Sequence, residues 1–579
     1  MKLNQALLYF RTLQRLKPQQ VTAQLRQKTR GFRPAPAFDG APAFPRWKRR
    51  LQRPLLAARG ADFNPAAEIR QGRWCFLNEQ RTASAQDKWA VGEASKLWRY
   101  NLHYHEWLWS LEPADAASMV EDWIARHPAD VSTDAWEPYV ISLRLQNWVG
   151  YFAERGFPAL ENQSFRERWW RSLWQQAECL RRNLEVHLQA NHLLENAIAL
   201  TMVAAAFEGK WAKTLWKSAW PLLQSELDGQ FLSDGMHYER SPMYQARLLY
   251  ALSQAEAFLQ HEAQAVARAR LQSGARALHC MQHPDGDIAL FNDSAFEIAH
   301  RSSSLLSFFE AQQLVQLPRQ QGGWALPAAG YFGFRSEKLC LIADLGTFGP
   351  RHQIGHAHAD FGSFELSVGG QRFITDTGVY HYLPGPQRQL DRSIAGHNTV
   401  EVESLQQIEL WSAFRAARES RMERVLDQAD EKALKVRGTL KSYAQGRRRY
   451  THTRQWTCTE TASLWQDRLQ ASCNAPFVSR LHLAPQVQVE WRDDQQRLCD
   501  SHGNTLSVSL PPDLTWQTAS SPYHPLFHRE LERPSLIGEG QTGTEARQLD
   551  YKLEVEQGSS STWHTTCHGS ASASSPSLV

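Results

Sequence analysis

No run of about twenty apolar residues occurs anywhere in this chain of 579 residues, so no transmembrane helix is expected. Charge of one sign is not in excess. With 64 Lys and Arg against 60 Asp and Glu the net is only +4, and nothing in that total points to nucleic acid. The eight cysteines, at positions 75, 179, 280, 340, 458, 473, 499 and 567, include no Cys-x-x-Cys pair. They read as reduced thiols, which argues against a disulfide framework or a thiolate zinc site. The opening residues, Met1-Lys2-Leu3-Asn4-Gln5-Ala6-Leu7-Leu8-Tyr9-Phe10-Arg11, lack a long apolar stretch and a small-residue cleavage site. They are not read as a signal peptide, and a cytoplasmic or cytoplasmic-membrane-associated protein of bacterial type is the expectation. No repeat recurs at a fixed period.

What is present is length and aromatic content. A chain of this size is too long for one core, so two or three domains are expected. The 22 tryptophans and 11% aromatic content suit clefts that stack on sugar rings, but a helical core is the expected fate of most of them.

Taken in order, residues 1–95 read as a basic amphipathic helix and a connector. Leu7, Leu8, Phe10, Leu13 and Leu16 alternate with Arg11, Arg15 and Lys17. Such a helix lies on the protein or, as the second expectation, makes peripheral contact with a membrane. Residues 96–325 turn helical, with apolar spacing i, i+3, i+4 over Ile141–Phe152, Trp169–Leu184, Leu193–Phe207, Lys213–Gln230 and Met243–Phe258. From 326 to 558 the pattern alternates with period two, as in Leu339–Ala343, Arg448–Cys458, Ala462–Leu469 and Tyr551–Val555. An antiparallel β-sandwich is expected there, and residues 559–579 are Ser-rich, low in complexity and expected to be disordered. The fold class is therefore α+β and multidomain: an α/α toroid or helical bundle followed by an antiparallel sandwich.

The chemistry concentrates in a few stretches. Gly355-His356-Ala357-His358-Ala359-Asp360 runs into Phe364–Val368, a Gly369-Gly370 turn and a returning strand to Asp376. The two glycines mark a hairpin. Pairing Val368 with Gln371 puts Phe373 opposite Leu366 and Asp376 opposite Ser363, with Ser363, Glu365 and Ser367 on a polar face. His397 stands at the mouth of another strand. His358, Asp376 and His397 are the residue types that hold a divalent metal. An extended chain would, however, leave His358 about 17 Å from Asp376, so the segment from His356 to Asp360 must curl back over the sheet. In the helical half, Asn191 and His192 precede Glu195 and Asn196, and Asn191 stands where it could be an N-cap. Ser241-Pro242 starts a helix and places Tyr244 in its first turn, where the helix dipole favours a phenolate.

These stretches, with Leu97–Tyr104, Trp136–Arg144, Asn191–Asn196, His237–Tyr244, His356–Asp360 and His397–Val400 in that order, resemble the heparinase II/III-like polysaccharide lyases, a group that includes alginate and oligoalginate lyases. The resemblance implies an incomplete (α/α) toroid followed by an antiparallel β-sandwich. It implies that Asn191 and His192 neutralise a uronate carboxylate, that Tyr244 protonates the leaving oxygen and, as in some members, also takes the C5 proton, and that His356 is a base or helps neutralise charge. His358, Asp376 and His397 would hold a structural divalent metal, zinc in this family. Arg99, His103, Arg144, Glu239 and Arg240 would touch substrate or flank the site. The expected partner is an acidic polysaccharide, cleaved by β-elimination, in a setting of exopolysaccharide or capsule metabolism. Two other readings stand beside it: a glycoside hydrolase using carboxylates such as Glu195, Asp234 or Glu239, and a non-catalytic glycan-binding or assembly protein.

Overall fold

The computed structural model describes residues 3–47, 51–84, 87–156, 163–492 and 495–556. The Ser-rich tail lies outside the described residues. Two helices open the chain, α1 (Leu3–Leu13) and α2 (Pro18–Arg30). The basic face of α1 is spent on the protein. Arg11 forks onto Glu409 at 3.1 and 3.2 Å, the Thr12 hydroxyl donates to the Ala416 carbonyl, and Tyr9 packs edge-on against Trp411. Leu7 and Phe10, on the other side of the helix, stay 40% and 59% exposed. Among the described residues no helix is long and apolar enough to cross a membrane.

A short helix α3 (Ala66–Arg70) and a hairpin, β1 (Arg73–Phe76) with β2 (Glu79–Thr82), lead into the helical half. There follow α4 (Lys96–Tyr104), α5 (Pro113–Arg126), α6 (Pro138–Arg155), α7 (Gln163–Arg182), α8 (Ala190–Ala206), α9 (Lys210–Gln230), α10 (Pro242–Glu256), α11 (His261–Cys280) and α12 (Ser302–Ala311). They form an incomplete (α/α) toroid. Helix α8 gathers its polar residues Asn191, His192, Glu195 and Asn196 in its first two turns, is Ala, Leu, Ile, Val and Met beyond them except for Thr201, and is buried along nearly its whole length; a helix whose body is apolar all round belongs in the middle of a helical layer. It packs against α6, α9 and α10, and its N-terminal end delivers Asn191 and His192 to the edge of the toroid. Trp98, Trp107, Trp123, Trp136, Trp148, Trp169 and Trp170 are fully buried in this half. Most of the described tryptophans are thus core, as expected, while Trp491 is exposed.

The second half opens with a five-stranded antiparallel meander: β3 (Gly322–Leu326), β4 (Tyr331–Arg335), β5 (Leu339–Asp344), β6 (Phe364–Val368) and β7 (Gln371–Ile374). Helix α13 (Pro386–Arg392), β8 (Val400–Val402), β9 (Ile408–Leu410) and β10 (Ala416–Glu419) follow. An eight-stranded antiparallel sheet takes β11 (Arg421–Ala429), β12 (Leu434–Lys441), β13 (Tyr450–Cys458), β14 (Ala462–Ala471), β16 (Gln488–Glu490), β17 (Gln496–Cys499), β18 (Thr505–Ser509) and β21 (Arg547–Val555). A four-stranded sheet joins β8, β15 (Pro476–His482), β19 (Thr515–Leu526) and β20 (Arg529–Gln541). Phe364, Leu366, Leu341, Trp456, Trp465, Leu481 and Leu536 meet in the core between the sheets.

Two details of the hairpin depart from the sequence reading. The Gly369-Gly370 turn forms with φ of +51° and +90°, and Val368 pairs with Gln371. A bulge then inserts Phe373, so Ile374 rather than Phe373 lies opposite Leu366. Asp376 still reaches Ser363, whose hydroxyl donates to Oδ2 at 2.9 Å. The polar face of β6 is also not solvated. The meander is covered on its second side by the toroid, where Trp324, Tyr331, Cys340 and Ile342 pack on Met236, Ala277, Met281 and Phe291. Glu365 is consequently fully buried and answered by Arg372 at 3.0 Å, His283 at 2.9 Å and the backbone N–H groups of Leu290 and Asp376. A buried carboxylate is tolerated only when paired in this way.

Candidate active site

A cleft of about 780 Å³ runs between the toroid and the sandwich, and Asn191, His192, Tyr244 and His356 all line it. Its aromatic lining is Tyr and Phe; among the described residues no Trp faces it.

Asn191 and His192 arrive from the strained start of α8. Gln189 and Ala190 both hold positive φ, +60° and +52°, a conformation that non-glycine residues adopt at a cost and that clusters at functional sites. Gln230, the last residue of α9, donates to the Ala190 carbonyl at 3.0 Å and fixes the turn. The N-cap is Gln189, and Asn191 does not cap. Its amide donates instead to Glu239 Oε2 at 3.0 Å and lies 3.4 Å from His356 Nε2. His192 lies against the Tyr139 ring with centroids 4.4 Å apart, and its Nδ1 meets Glu185 Oε1 at 3.0 Å. Glu185 is aimed by Asn196, whose amide donates to the other carboxylate oxygen at 2.9 Å. Burial works against protonating His192, but Glu185, with Glu239 and Glu195 behind it, raises its pKa above the ordinary value. The cleft thus sets an imidazole whose charged form Glu185 favours beside an amide, a suitable pair for an incoming carboxylate.

Tyr244 is the third residue of α10. Ser241 caps that helix by accepting from the Tyr244 N–H, and Pro242 is the first helical residue. Burial, then Tyr382 and Tyr139, push the Tyr244 hydroxyl well above the usual phenol range. The expected phenolate is therefore not what the fold favours: desolvation in the cleft wall outweighs the helix dipole, and Tyr244 is a neutral phenol. Its hydroxyl lies 3.2 Å from that of Tyr382, and its ring packs on His356 with centroids 4.4 Å apart.

His356 comes from the sandwich side. Its Nδ1 meets Asp293 Oδ2 at 2.7 Å. Asp293 is fully buried, forked by Arg388 and also bonded to His358 Nε2 at 2.8 Å. Burial would raise the Asp293 pKa, but Arg388 and the two imidazoles reverse this and hold it well below the carboxylate range. A fixed carboxylate at Nδ1 assigns the proton of a neutral His356 to that nitrogen and leaves Nε2, on the Asn191 side, as the acceptor.

The segment from His356 to Asp360 does curl back. The Asp293 N–H donates to the His356 carbonyl, His358 N–H to Asn292 Oδ1, and Ala359 N–H to the Arg392 carbonyl. This brings the His358 and His397 rings to 5.3 Å between centroids, while His397 Nδ1 sits 2.9–3.0 Å from the two oxygens of Asp376. His358 Nδ1 and His397 Nε2 are buried without a hydrogen-bond partner. The donor types and these two orphaned nitrogens suit a divalent cation. As arranged, however, His358 Nε2 is turned onto Asp293 and Asp376 onto His397. Among the described residues no three His, Cys, Asp or Glu side chains converge as metal ligands do.

Four of the residues expected to touch substrate stand elsewhere. Arg99 pairs with Asp134 at 2.6 Å and donates to the Ala94 carbonyl. His103 accepts from the Trp123 indole inside the aromatic core. Arg144, fully buried, donates to Gln176 and to the His103 carbonyl and lies 4.1 Å over the Trp123 ring. Arg240 turns its guanidinium onto Thr347, and its backbone, at φ +58°, is held through its carbonyl by Tyr331 at 2.6 Å. Glu239 lies behind the site, buried, and positions Asn191. The residues not anticipated are Asp293, Arg388, Tyr382, Glu185 and Tyr139. Glu185, seven positions before His192, carries a local signal; Asn292-Asp293-Ser294 reads as an ordinary polar loop.

Comparison with known proteins agrees with the two-part fold. The model for the heparinase II/III N-terminus matches residues 94–316, and that for the heparinase II/III-like C-terminal region matches residues 318–563. A heparin-sulfate lyase of Pedobacter heparinus is 26% identical over 292 residues, 45% of this chain and 43% of the relative. The chain thus spans less than half the length of that curated relative. Among solved structures, a mutant of the heparan sulfate lyase HepC from Pedobacter heparinus superimposes with a TM-score of 0.61 at 18% identity, covering 94% of this chain and 88% of the other. A heparinase III gives a TM-score of 0.64 at 15% identity, covering 93% and 91%; at such identity the likeness concerns the fold. With the two family models together spanning both halves of the cleft, the chain belongs to the heparinase II/III-like family.

Proposed function

We propose that the chain is a polysaccharide lyase that cleaves a uronic-acid-containing glycan by β-elimination. The observation that carries this reading is the neutral Tyr244 phenol packed on His356, whose Nδ1 is held by Asp293 and whose Nε2 faces the Asn191 amide. In this mechanism the uronate carboxylate lies against the His192 imidazolium and the Asn191 amide, which stabilise the enolate-like charge that builds on it. His356 Nε2 takes the C5 proton. The C5–H electron pair forms the C4–C5 double bond, the C4–O bond breaks, and the departing oxygen takes the Tyr244 proton. His356 then loses its proton, and the Tyr244 phenolate regains one, through the cleft. Elimination consumes no water.

The hydrolase reading loses support from the placement of its carboxylates. Glu195 accepts from Gln146, and Asp234 accepts from backbone N–H groups of Met236 and Ala329. Glu239 is occupied by Asn191, and none of the three lines the cleft.

The metal belongs to the same proposal. His358 Nδ1, Asp376 and His397 would hold a zinc-type ion, and the support is the pair of buried, unpartnered imidazole nitrogens. When bound it would tie the His356 loop to the hairpin. The proposed setting is exopolysaccharide or capsule metabolism, and the exposed Leu7 and Phe10 of α1 keep a peripheral membrane contact within it.

The test is the ultraviolet absorbance of the conjugated C4–C5 double bond, followed on a panel of heparan-type, alginate-type and capsular polymers with the wild type and Tyr244→Phe in parallel. A rise with wild type alone is expected. Reducing ends without that absorbance would replace the lyase with a hydrolase.

A further inference from the structure

The matched family regions begin at residue 94, but the cleft does not. Tyr9, Leu13, Arg15, Gln20, Gln24 and Lys28, all from α1, α2 and their connection, line it together with the candidate catalytic residues. This segment carries charge of one sign. No Asp or Glu precedes Asp39, whereas Arg11, Arg15, Lys17, Arg26, Lys28, Arg30 and Arg33 do. Gln20 fixes its position. It is 1% exposed, and its amide donates to the His187 carbonyl of the toroid at 3.5 Å and to the His352 carbonyl of the sandwich at 3.3 Å. The opening helices are therefore a strap pinned across both lobes at the cleft.

The cations of the strap are not all used by the protein. Arg11 is spent on Glu409. Arg15 lies 3.6 Å from Glu419, beyond hydrogen-bond reach, and Arg351 takes the same carboxylate at 3.2 Å. One carboxylate between two guanidiniums leaves surplus positive charge, and Arg15 Nη1 is shielded from water without a hydrogen-bond partner. A buried donor in a cleft wall calls for an acceptor. Lys28 sits about 12 Å farther along α2 than Gln20. It is exposed, and among the described residues it forms no ion pair.

We propose that the α1–α2 strap is a substrate-binding arm. Arg15, with Arg351 beside it, and Lys28 take carboxylate or sulfate groups on sugars flanking the one that is cleaved. The arm thereby selects long, multiply charged chains. The proposal rests on the lyase reading in that it requires an acidic glycan in the cleft.

The test measures binding of a size series of heparan-sulfate and alginate oligosaccharides to protein that carries Tyr244→Phe, so that nothing is consumed. Lys28→Glu is expected to weaken binding of long oligosaccharides about tenfold and to flatten its salt dependence, with short ones unaffected. Lys28→Arg is expected to restore binding. Arg15→Gln should act in the same direction. In the otherwise wild-type enzyme, Lys28→Glu should raise KM while kcat stays within about twofold, the pattern of lost uniform binding. Because Lys28 is exposed and unpaired, its replacement tests the arm without risk to the fold. Equal affinity of the Lys28→Glu protein and its parent for long chains, where the parent binds them, overturns the arm alone. A parent protein that binds no acidic glycan of any length overturns the lyase reading and the arm with it.

Discussion

His356 Nδ1 and Asp293 Oδ2 stand 2.7 Å apart, although 63 residues and the change from helix to sheet separate them. The contact joins the last loop of the toroid to the first long loop of the sandwich, and it fixes which nitrogen of His356 is free to take a proton.

Replacing Asp293 by Asn should therefore cost activity on the order of 10³-fold, because the imidazole loses its fixed tautomer. It also leaves Arg388 buried without its carboxylate, a loss of about 3–5 kcal/mol. Since the native Asp293 pKa is depressed, its stabilisation is complete above the unfolded value of about 3.9 and is lost only as pH falls through the lower native value. Melting curves of wild type and Asp293→Asn should stay apart at pH 4 and converge only well below it.

Tyr244→Phe removes the proton donor and little else. Turnover should fall by about 10²- to 10⁴-fold, while the lost contact with the Tyr382 hydroxyl costs about 1 kcal/mol. Circular dichroism and melting temperature report the fold. A Phe variant that turns over at the wild-type rate would remove Tyr244 from the chemistry.

His192 should govern the alkaline limb of kcat/KM. Its pKa is raised by Glu185, so the positive charge is present below its unfolded value of about 6.5 and is lost as pH rises through the higher native value. Glu185→Gln should move that limb to lower pH, seen as KM rising earlier on the way up. An unmoved limb would assign it to another group.

Elemental analysis of the purified protein should find one divalent ion per chain. Chelation should lower the melting temperature, and His397→Ala should abolish both the ion and the response to chelator. No bound ion, and a melting temperature indifferent to chelator, would leave His358, Asp376 and His397 as a hydrogen-bonded cluster.

Much of the helical half was legible because periodicity of 3.6 marks a helix whatever it packs against: Met243–Phe258 was expected and α10 spans Pro242–Glu256. The hairpin turn was legible because two glycines tolerate what few other residues do. Its bulge at Phe373 was not, since nothing local distinguishes the inserted residue. The hairpin of β19 and β20 escaped notice because Pro522, Pro525 and Pro534 interrupt its alternation; β19 lies at a sheet edge, where prolines forfeit no ladder bonds. Asn191, His192, Tyr244 and His356, which the fold brings to one cleft, could be singled out because each sits in a stretch whose polar residues a plain core would not need. By the same logic Arg99, His103 and Arg144 were over-read. Polar side chains among aromatics also arise where a tryptophan-rich core needs its indole and carbonyl groups answered, as His103 and Arg144 do around Trp123. Asp293 and Arg388 were out of reach, being defined by partners that lie far off in the chain.

The five-stranded meander has a hydrophobic covering on both sides, one supplied by the other sheets and one by Met236, Ala277, Met281, Ala289 and Phe291 of the toroid. A boundary that is sharp in sequence, where helices give way to strands, is thus no boundary in cooperativity. Cutting the chain there would leave each fragment with a bare greasy surface and would strand Glu365 without His283. The two halves should melt as one calorimetric unit and should not be separable into independently soluble pieces.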